Sequence, residues 1–334
     1  MAEFAAGRIG CNQLNMLYAN ALADTIARFE QTGSTVITDG EQTKPSFVTY
    51  AIDGLESLDS EGVAIPFADG HIRQLPRLTG GPFRYRSYAG SYVAKARTLS
   101  TRNIKQSVIA PSALSLLYPA DGIDYYAKDE FVDDLLDESE KDIRSSFTAG
   151  AYTVQLDFTE GRLSLKLDPS KKLLRSFVEL NNRVLERFTA EERSKLGVHT
   201  CPGGDFDSVH SLDVDYAELL PDLFSLKVGN FYLQLASERN RRRVLEMVMN
   251  YARPNQRIFI GVIDPINPRV ETAENVRDRV LEAAEYVPAE RLGTCDDCGF
   301  APFSDDTSTS RDTAFSKISA RVVGTHLAAD KLGI

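Results

Sequence analysis

The chain has 334 residues, 43% hydrophobic and 26% charged, which is ordinary globular chemistry and excludes a disordered or fibrous protein. Lys plus Arg number 38 against 48 Asp plus Glu, a net charge of −10, so nothing sums to a nucleic-acid footprint. No apolar run reaches the roughly 18 residues of a membrane span, and the start MAEFAAGRIG lacks an apolar signal core, which reads as a cytosolic protein.

Residues 14–32 carry apolar side chains at helical spacing and close at Thr32-Gly33. TVITDGE (35–41) reads as a buried strand running into a turn. The unit then recurs. Helix 91–103 precedes strand 105–112, and the acidic amphipathic helix 126–147 precedes strand 151–158. Helix 170–188 precedes strand 195–201, and helix 213–221 precedes strand 225–235. Helix 238–252 precedes strand 257–264, helix 271–286 precedes strand 291–300, and helix 309–331 is last.

Seven strands alternating with helices, several of them near-continuous apolar runs, mean a parallel α/β fold with both sheet faces covered. No G-x-G-x-x-G follows the first strand, so a dinucleotide-binding sheet is unsupported and a (β/α)8 TIM barrel fits better. That barrel is one strand short. Its first strand should precede helix 14–32, where only residues 1–13 remain, so the strand is truncated or atypical. An exposed edge there would favour self-association as a homo-oligomer. Residues 60–90 form an irregular Gly/Pro/Arg-rich insertion that could cover one barrel end. No composition break divides residues 1–334, which read as one barrel domain.

The soft ligands are scarce: four Cys, too few for a disulfide scaffold, and four His. Barrel enzymes place chemistry at the C-terminal ends of strands. Strand 195–201 ends in His199-Thr200-Cys201, and alternation points His199 and Cys201 the same way. Strand 291–300 carries Cys295-Asp296-Asp297-Cys298. Thiolate with imidazole on one rim is zinc chemistry. Small buried thiols and a redox Cys-x-x-Cys are the alternatives, the latter disfavoured by its late position. Cys11, His71, His210 and His326 have no such company and read as structural. Arg239 and Arg241 to Arg243 read as a solvated helix face before an anion clamp. Arg84, Tyr85, Arg86 and Tyr88 read equally as a lid or as loop packing.

VHTCPGGDF (198–206), FYLQLASE (231–238), GVIDPINPRVET (261–272) and ERLGTCDDCGF (290–300), with TVITDGEQ (35–42) and VQLDF (154–158), resemble the cobalamin-independent methionine synthase family. More narrowly they resemble its short, single-barrel members, from about residue 14 to the end. The resemblance implies a (β/α)8 barrel with a catalytic Zn2+, and a methyltransferase. Zinc would activate a small thiol such as homocysteine, which then takes a methyl group to give methionine. His199, Cys201 and Cys298 would be zinc ligands. Glu41 would hold the amino group of the thiol amino acid, Asp157 would be a second acidic contact, and Asp264 would face the substrate from its strand end.

The chain also departs from the family pattern. Gln234 stands where the family has a glutamate ligand, with Glu238 four residues on as a substitute. A His/Cys/Cys site with an open position resembles the alkyltransferase branch that opens epoxides with coenzyme M. Asp264-Pro265-Ile266-Asn267 lacks the family's proton-relay His, so protonating a pterin leaving group would need another acid. The first family strand, with its Gly-Ser, is missing. The partners expected are a small thiol and a methyl or alkyl donor; a barrel that keeps zinc only structurally is the non-enzyme alternative.

Overall fold

The protein is described from a computed structural model, which covers residues 2–334. Seven parallel strands make its main sheet: β1 Val36–Ile37, β2 Asn103–Ile109, β3 Thr153–Asp157, β4 Leu196–Thr200, β5 Asn230–Leu233, β6 Arg257–Ile263 and β7 Leu292–Asp296. They lie side by side in chain order, so each connection is a crossover, and the crossovers carry the helices. Asp157 of β3 sits opposite His199 of β4, and His199 opposite Tyr232 of β5.

Alternation explains the strands. In β2, Ile104, Gln106 and Val108 are buried, while Lys105 and Ser107 line an interior cavity. Helix Lys172–Leu185 buries Leu174, Phe177, Val178, Asn181, Val184 and Leu185 at three- and four-residue spacing, which holds it on the sheet. The Ser310 hydroxyl caps helix Arg311–Leu332 at Thr313 N, and Gly333, at φ 74°, closes the other end. No helix of the described residues is long and apolar enough to cross a membrane.

Of the eight-stranded barrel expected from the sequence, the described residues form seven strands, with β1 and β7 as the sheet's edges. Ala2–Ala5 and Cys11–Gln31 are helical, so no strand precedes the first long helix among the described residues. The sheet still curls, because residues of all seven strands line one cavity of about 1100 Å³. Helices Cys11–Gln31 and Arg311–Leu332 meet across the space between the two edges. Phe29 stacks edge-on to Phe315 at 5.2 Å, Arg28 pairs with Asp312 at 2.6 Å, and Arg311 with Asp24 at 2.7 Å.

The predicted helix 213–221 is instead a short 3-10 turn, Tyr216–Glu218, and a four-residue helix, Leu220–Leu223, with Pro221 in its first turn. Residues 58–78, within and beside the stretch read as an insertion, form two short antiparallel pairs. Ala64–Pro66 pairs antiparallel with Ile72–Gln74, and Leu58–Asp59 with Arg77–Leu78. Arg84 pairs with Asp134 at 2.5 Å, and the Tyr88 hydroxyl donates to Glu138 at 2.5 Å, both on helix Lys128–Thr148. That stretch packs on a helix and does not line the cavity. The Arg241–Arg243 run pairs with Glu282, Glu246 and Glu218, as a solvated face does.

Candidate metal centre and its cavity

His199 lies in the last turn of the pleat of β4, and Cys201 follows that strand by one residue. Cys298 follows β7 by two. One donor atom from each lies within 4.8 Å of the others, and among the described residues this is the group of His, Cys, Asp and Glu that could hold a metal. The Cys201 and Cys298 sulfurs are 3.1 Å apart and both cysteines are free. Cys298 is held well below the ordinary thiol range by its hydrogen bond from Cys201, and next by His199. Cys201 is pushed up by sharing that proton and by burial. The amide N–H of Gly203 faces Cys201, and that of Gly204 faces Cys298, a polarity that favours negative charge on these sulfurs. Two sulfurs and an imidazole on a rim fit a thiophilic divalent ion by donor chemistry.

What aims Cys298 is Asp297. Its carboxylate accepts from the N–H groups of Leu235 (2.9 Å), Ala236 (2.9 Å) and Ser237 (2.7 Å), and from the Ser237 hydroxyl. The loop after β7 is thereby pinned to the loop after β5. Gly261 on β6 is required beneath it, because a Cβ there would lie 1.8 Å from Asp297 Oδ1.

The acidic pair sits beside the group in the same cavity. Glu41 occupies a left-handed turn at φ 53° and accepts from the ammonium of Lys44 at 2.7 Å. Lys44 is buried, donates also to the Ser107 carbonyl at 3.0 Å, and lies over the Tyr50 ring at 4.2 Å. Asp157 accepts from the Gln155 amide at 2.6 Å. Burial, then the Glu41 charge, pushes Asp157 up to about 6, and His199 opposes that rise.

Three sequence-predicted residues stand elsewhere. Gln234 is fully buried outside the cavity; its oxygen accepts from Arg162 at 2.8 Å and its nitrogen donates to Ser237 at 2.7 Å. Glu238 pairs with the same Arg162 at 2.6 Å and does not join the His/Cys group. Arg162 is 1% exposed, and its buried charge is met by Glu238 together with the Gln234 amide oxygen and the carbonyls of Val214 and Leu212. Asp264 does not line the cavity: its carboxylate accepts from Ile266 N at 3.1 Å, an Asx turn that redirects the chain before Pro268. Cys295 lines the cavity but remains a thiol pushed up by burial, pointing at the Phe259 carbonyl at 3.4 Å.

Two histidines read as structural come to this end of the molecule instead. The insertion hairpin lies over the rim, with Ala68 N donating to the Val209 carbonyl at 3.0 Å. Arg73 forks between Asp205, from the loop after Cys201, and Asp305, from the loop after Cys298, the latter at 2.8 Å. Its guanidinium lies 4.2 Å over the Phe303 ring. His71 bridges Asp69 and Asp205, and stacks on Phe67 at 4.3 Å. His210 meets the edge of Phe67 at 5.3 Å and lines the cavity. The sequence signal available for these was DSVH (207–210), close behind the His-x-Cys, but nothing linear ties it to residues 67–73.

Comparison with known proteins bears on the family and the fold. A family model described as the catalytic domain of cobalamin-independent synthase matches residues 1–311. A methionine synthase of Saccharolobus islandicus is 23% identical over 329 residues, 98% of this chain and 89% of that protein. A B12-independent methionine synthase of Shewanella sp. W3-18-1, solved in complex with selenomethionine, superposes with a TM-score of 0.78 at 20% identity, covering 97% of this chain and 91% of that one. A putative vitamin-B12-independent methionine synthase of Listeria monocytogenes gives 0.70 at 22% identity, covering 98% and 92%. With the family model spanning nearly its whole length, the chain belongs to the cobalamin-independent methionine synthase family.

Proposed function

We propose that residues 1–334 form one catalytic domain of (β/α)8 type whose rim holds zinc through His199, Cys201 and Cys298, and that it methylates a small thiol such as homocysteine. The observation that carries this reading is the convergence of those three donors within 4.8 Å at the ends of β4 and β7. Bound there, zinc would lower the pKa of the substrate thiol and keep it a thiolate at neutral pH. Glu41 and Asp157 form the acidic wall that receives the ammonium group of a thiol amino acid. Lys44 holds Glu41 in its left-handed turn, and Asp157, at about 6, is mostly ionised at neutral pH. The hairpin is tied over the rim by Arg73 to Asp205 and Asp305, and such a cover favours sulfur attack over hydrolysis of the alkyl donor.

A second reading, alkylation of a different thiol by an epoxide in the manner of coenzyme M transfer, is favoured by one observation. Gln234 is tied to Arg162 and Ser237, which leaves a three-residue donor set. The test is product analysis with homocysteine or coenzyme M as acceptor, and methyltetrahydrofolate, methylcobalamin or an epoxide as donor. S-methylation of homocysteine is expected. An S-hydroxyalkyl product with coenzyme M alone would replace the first reading by the second, and no thioether from any pair would reject both.

A further inference from the structure

We propose that the lower half of the cavity, away from the His/Cys group, is a second ligand site for a small oxyanion, a carboxylate or a phosphate, with Lys105 and Arg257 as its cations. This does not rest on the thiol reading above. Barrel enzymes fill the space between their strands with layers of packed side chains. Here that space is hollow. The cavity lined by His199, Cys201 and Cys298 at the rim is also lined by Tyr152, Lys195, Asn230 and Arg257, at or just before the starts of β3, β4, β5 and β6.

Two glycines explain the hollow. The Tyr232 ring lies against Gly197 of the neighbouring strand, where a Cβ would come within 2.7 Å of it. The Phe259 ring lies against Gly293, where a Cβ would come within 2.4 Å. The two rings stack on each other at 4.7 Å. They therefore lie along the wall over β4 to β7, a close approach that glycine permits, and leave the centre open.

Lys105 lines this hollow, in register with Thr153 at the start of β3. Its ammonium donates to the Gln155 amide oxygen at 2.8 Å and lies 4.2 Å over the Tyr232 ring. No carboxylate pairs with it among the described residues, so two of its three N–H groups have no acceptor there. Arg257 likewise has no ion pair among the described residues, and its charge reaches the Tyr232 hydroxyl, which is hydrogen-bonded to Thr153. The carboxylates lining the cavity are Glu41 and Asp157 beside the His/Cys group, and Asp296, which Arg321 takes at 3.0 Å. Lys195 has Glu191 at 3.6 Å. The lower half thus holds two cations beside one tyrosine, with no carboxylate in ion-pair contact with either. Burial lowers Lys105 from its ordinary value, and an oxyanion at the ammonium would hold its proton in place.

The test is titration calorimetry of the full chain with inorganic phosphate and with benzoate, each with and without homocysteine. One anion per chain is expected, still bound when homocysteine is present, and the probe that binds more tightly identifies the headgroup. Lys105→Met should weaken that binding roughly 10- to 100-fold, the worth of a hydrogen bond to a charged group. Arg257→Gln should weaken it by less, because Arg257 is exposed. Binding of neither anion would overturn the proposal. So would wild-type affinity in Lys105→Met, or loss of the anion when homocysteine is added, which would place it at the rim. If Lys105→Met does not fold, wild-type affinity in Arg257→Gln overturns it.

Discussion

Cys201 and Gln234 stand at the ends of neighbouring strands, each one residue beyond the paired Thr200 and Leu233. Their surroundings differ completely. Cys201 meets a second sulfur and an imidazole, with possible donor atoms all within 4.8 Å of one another. Gln234 meets the guanidinium of Arg162, which comes up from helix Glu160–Leu167 and also takes Glu238. On the proposed assignment, position on the rim does not by itself make a ligand. A donor atom is available only where no buried charge has a prior claim on it, and a buried arginine makes a strong claim because its desolvation must be offset.

Substitutions can break this comparison. The largest effect is expected from Cys201→Ser and Cys298→Ser, which remove members of the donor set. Zinc affinity, measured by chelator competition, should fall by more than the roughly 10- to 100-fold that loss of an outer hydrogen-bond partner costs. Next is Arg162→Leu, which strands Glu238 and Gln234 in a buried site. A loss of about 3–5 kcal/mol in denaturant unfolding is expected, as when one partner of a buried ion pair is removed. Gln234→Glu should alter zinc affinity by less than the roughly 10-fold worth of even an outer partner, because the new carboxylate stays on Arg162. A large gain in affinity would show that the two strand ends are equivalent after all.

The smallest effect concerns Glu160, whose Oε1 is bonded to Ser112 and whose Oε2 has no partner. Burial raises it to about 8 from an ordinary 4.5. The folded state thus holds a proton between those values that the unfolded chain has released. Its stabilising contribution is present below about pH 4.5 and is lost as pH rises towards 8. Glu160→Gln should remove that slope, and so gain on the wild type on the order of 1 kcal/mol per pH unit across the window. Parallel stability–pH curves for the two proteins would contradict this.

Much of this was legible in the chain because it is written at short range. The βα alternation, the His199-x-Cys201 spacing and the Cys298 loop are local patterns, and the structure places them as read. What was illegible is what depends on distant partners. Arg162 looked like any residue of a helix, yet it decides the fate of Gln234 and Glu238 across 72 and 76 residues. Asp264 sat at a strand end as expected, but a following Pro265 and the free N–H of Ile266 drew its carboxylate into a turn. His71 and His210 looked isolated because the residues that give them meaning, Asp205 and Phe67, lie 134 and 143 positions away in one case and the other.

The central claim is that His199, Cys201 and Cys298 leave a coordination position for a substrate sulfur. Zinc X-ray absorption of the protein purified without chelator, with and without homocysteine, tests it most directly. One zinc per chain with two sulfur neighbours, rising to three when homocysteine is added, is the predicted result. Zinc whose sulfur count does not change with any thiol would contradict it.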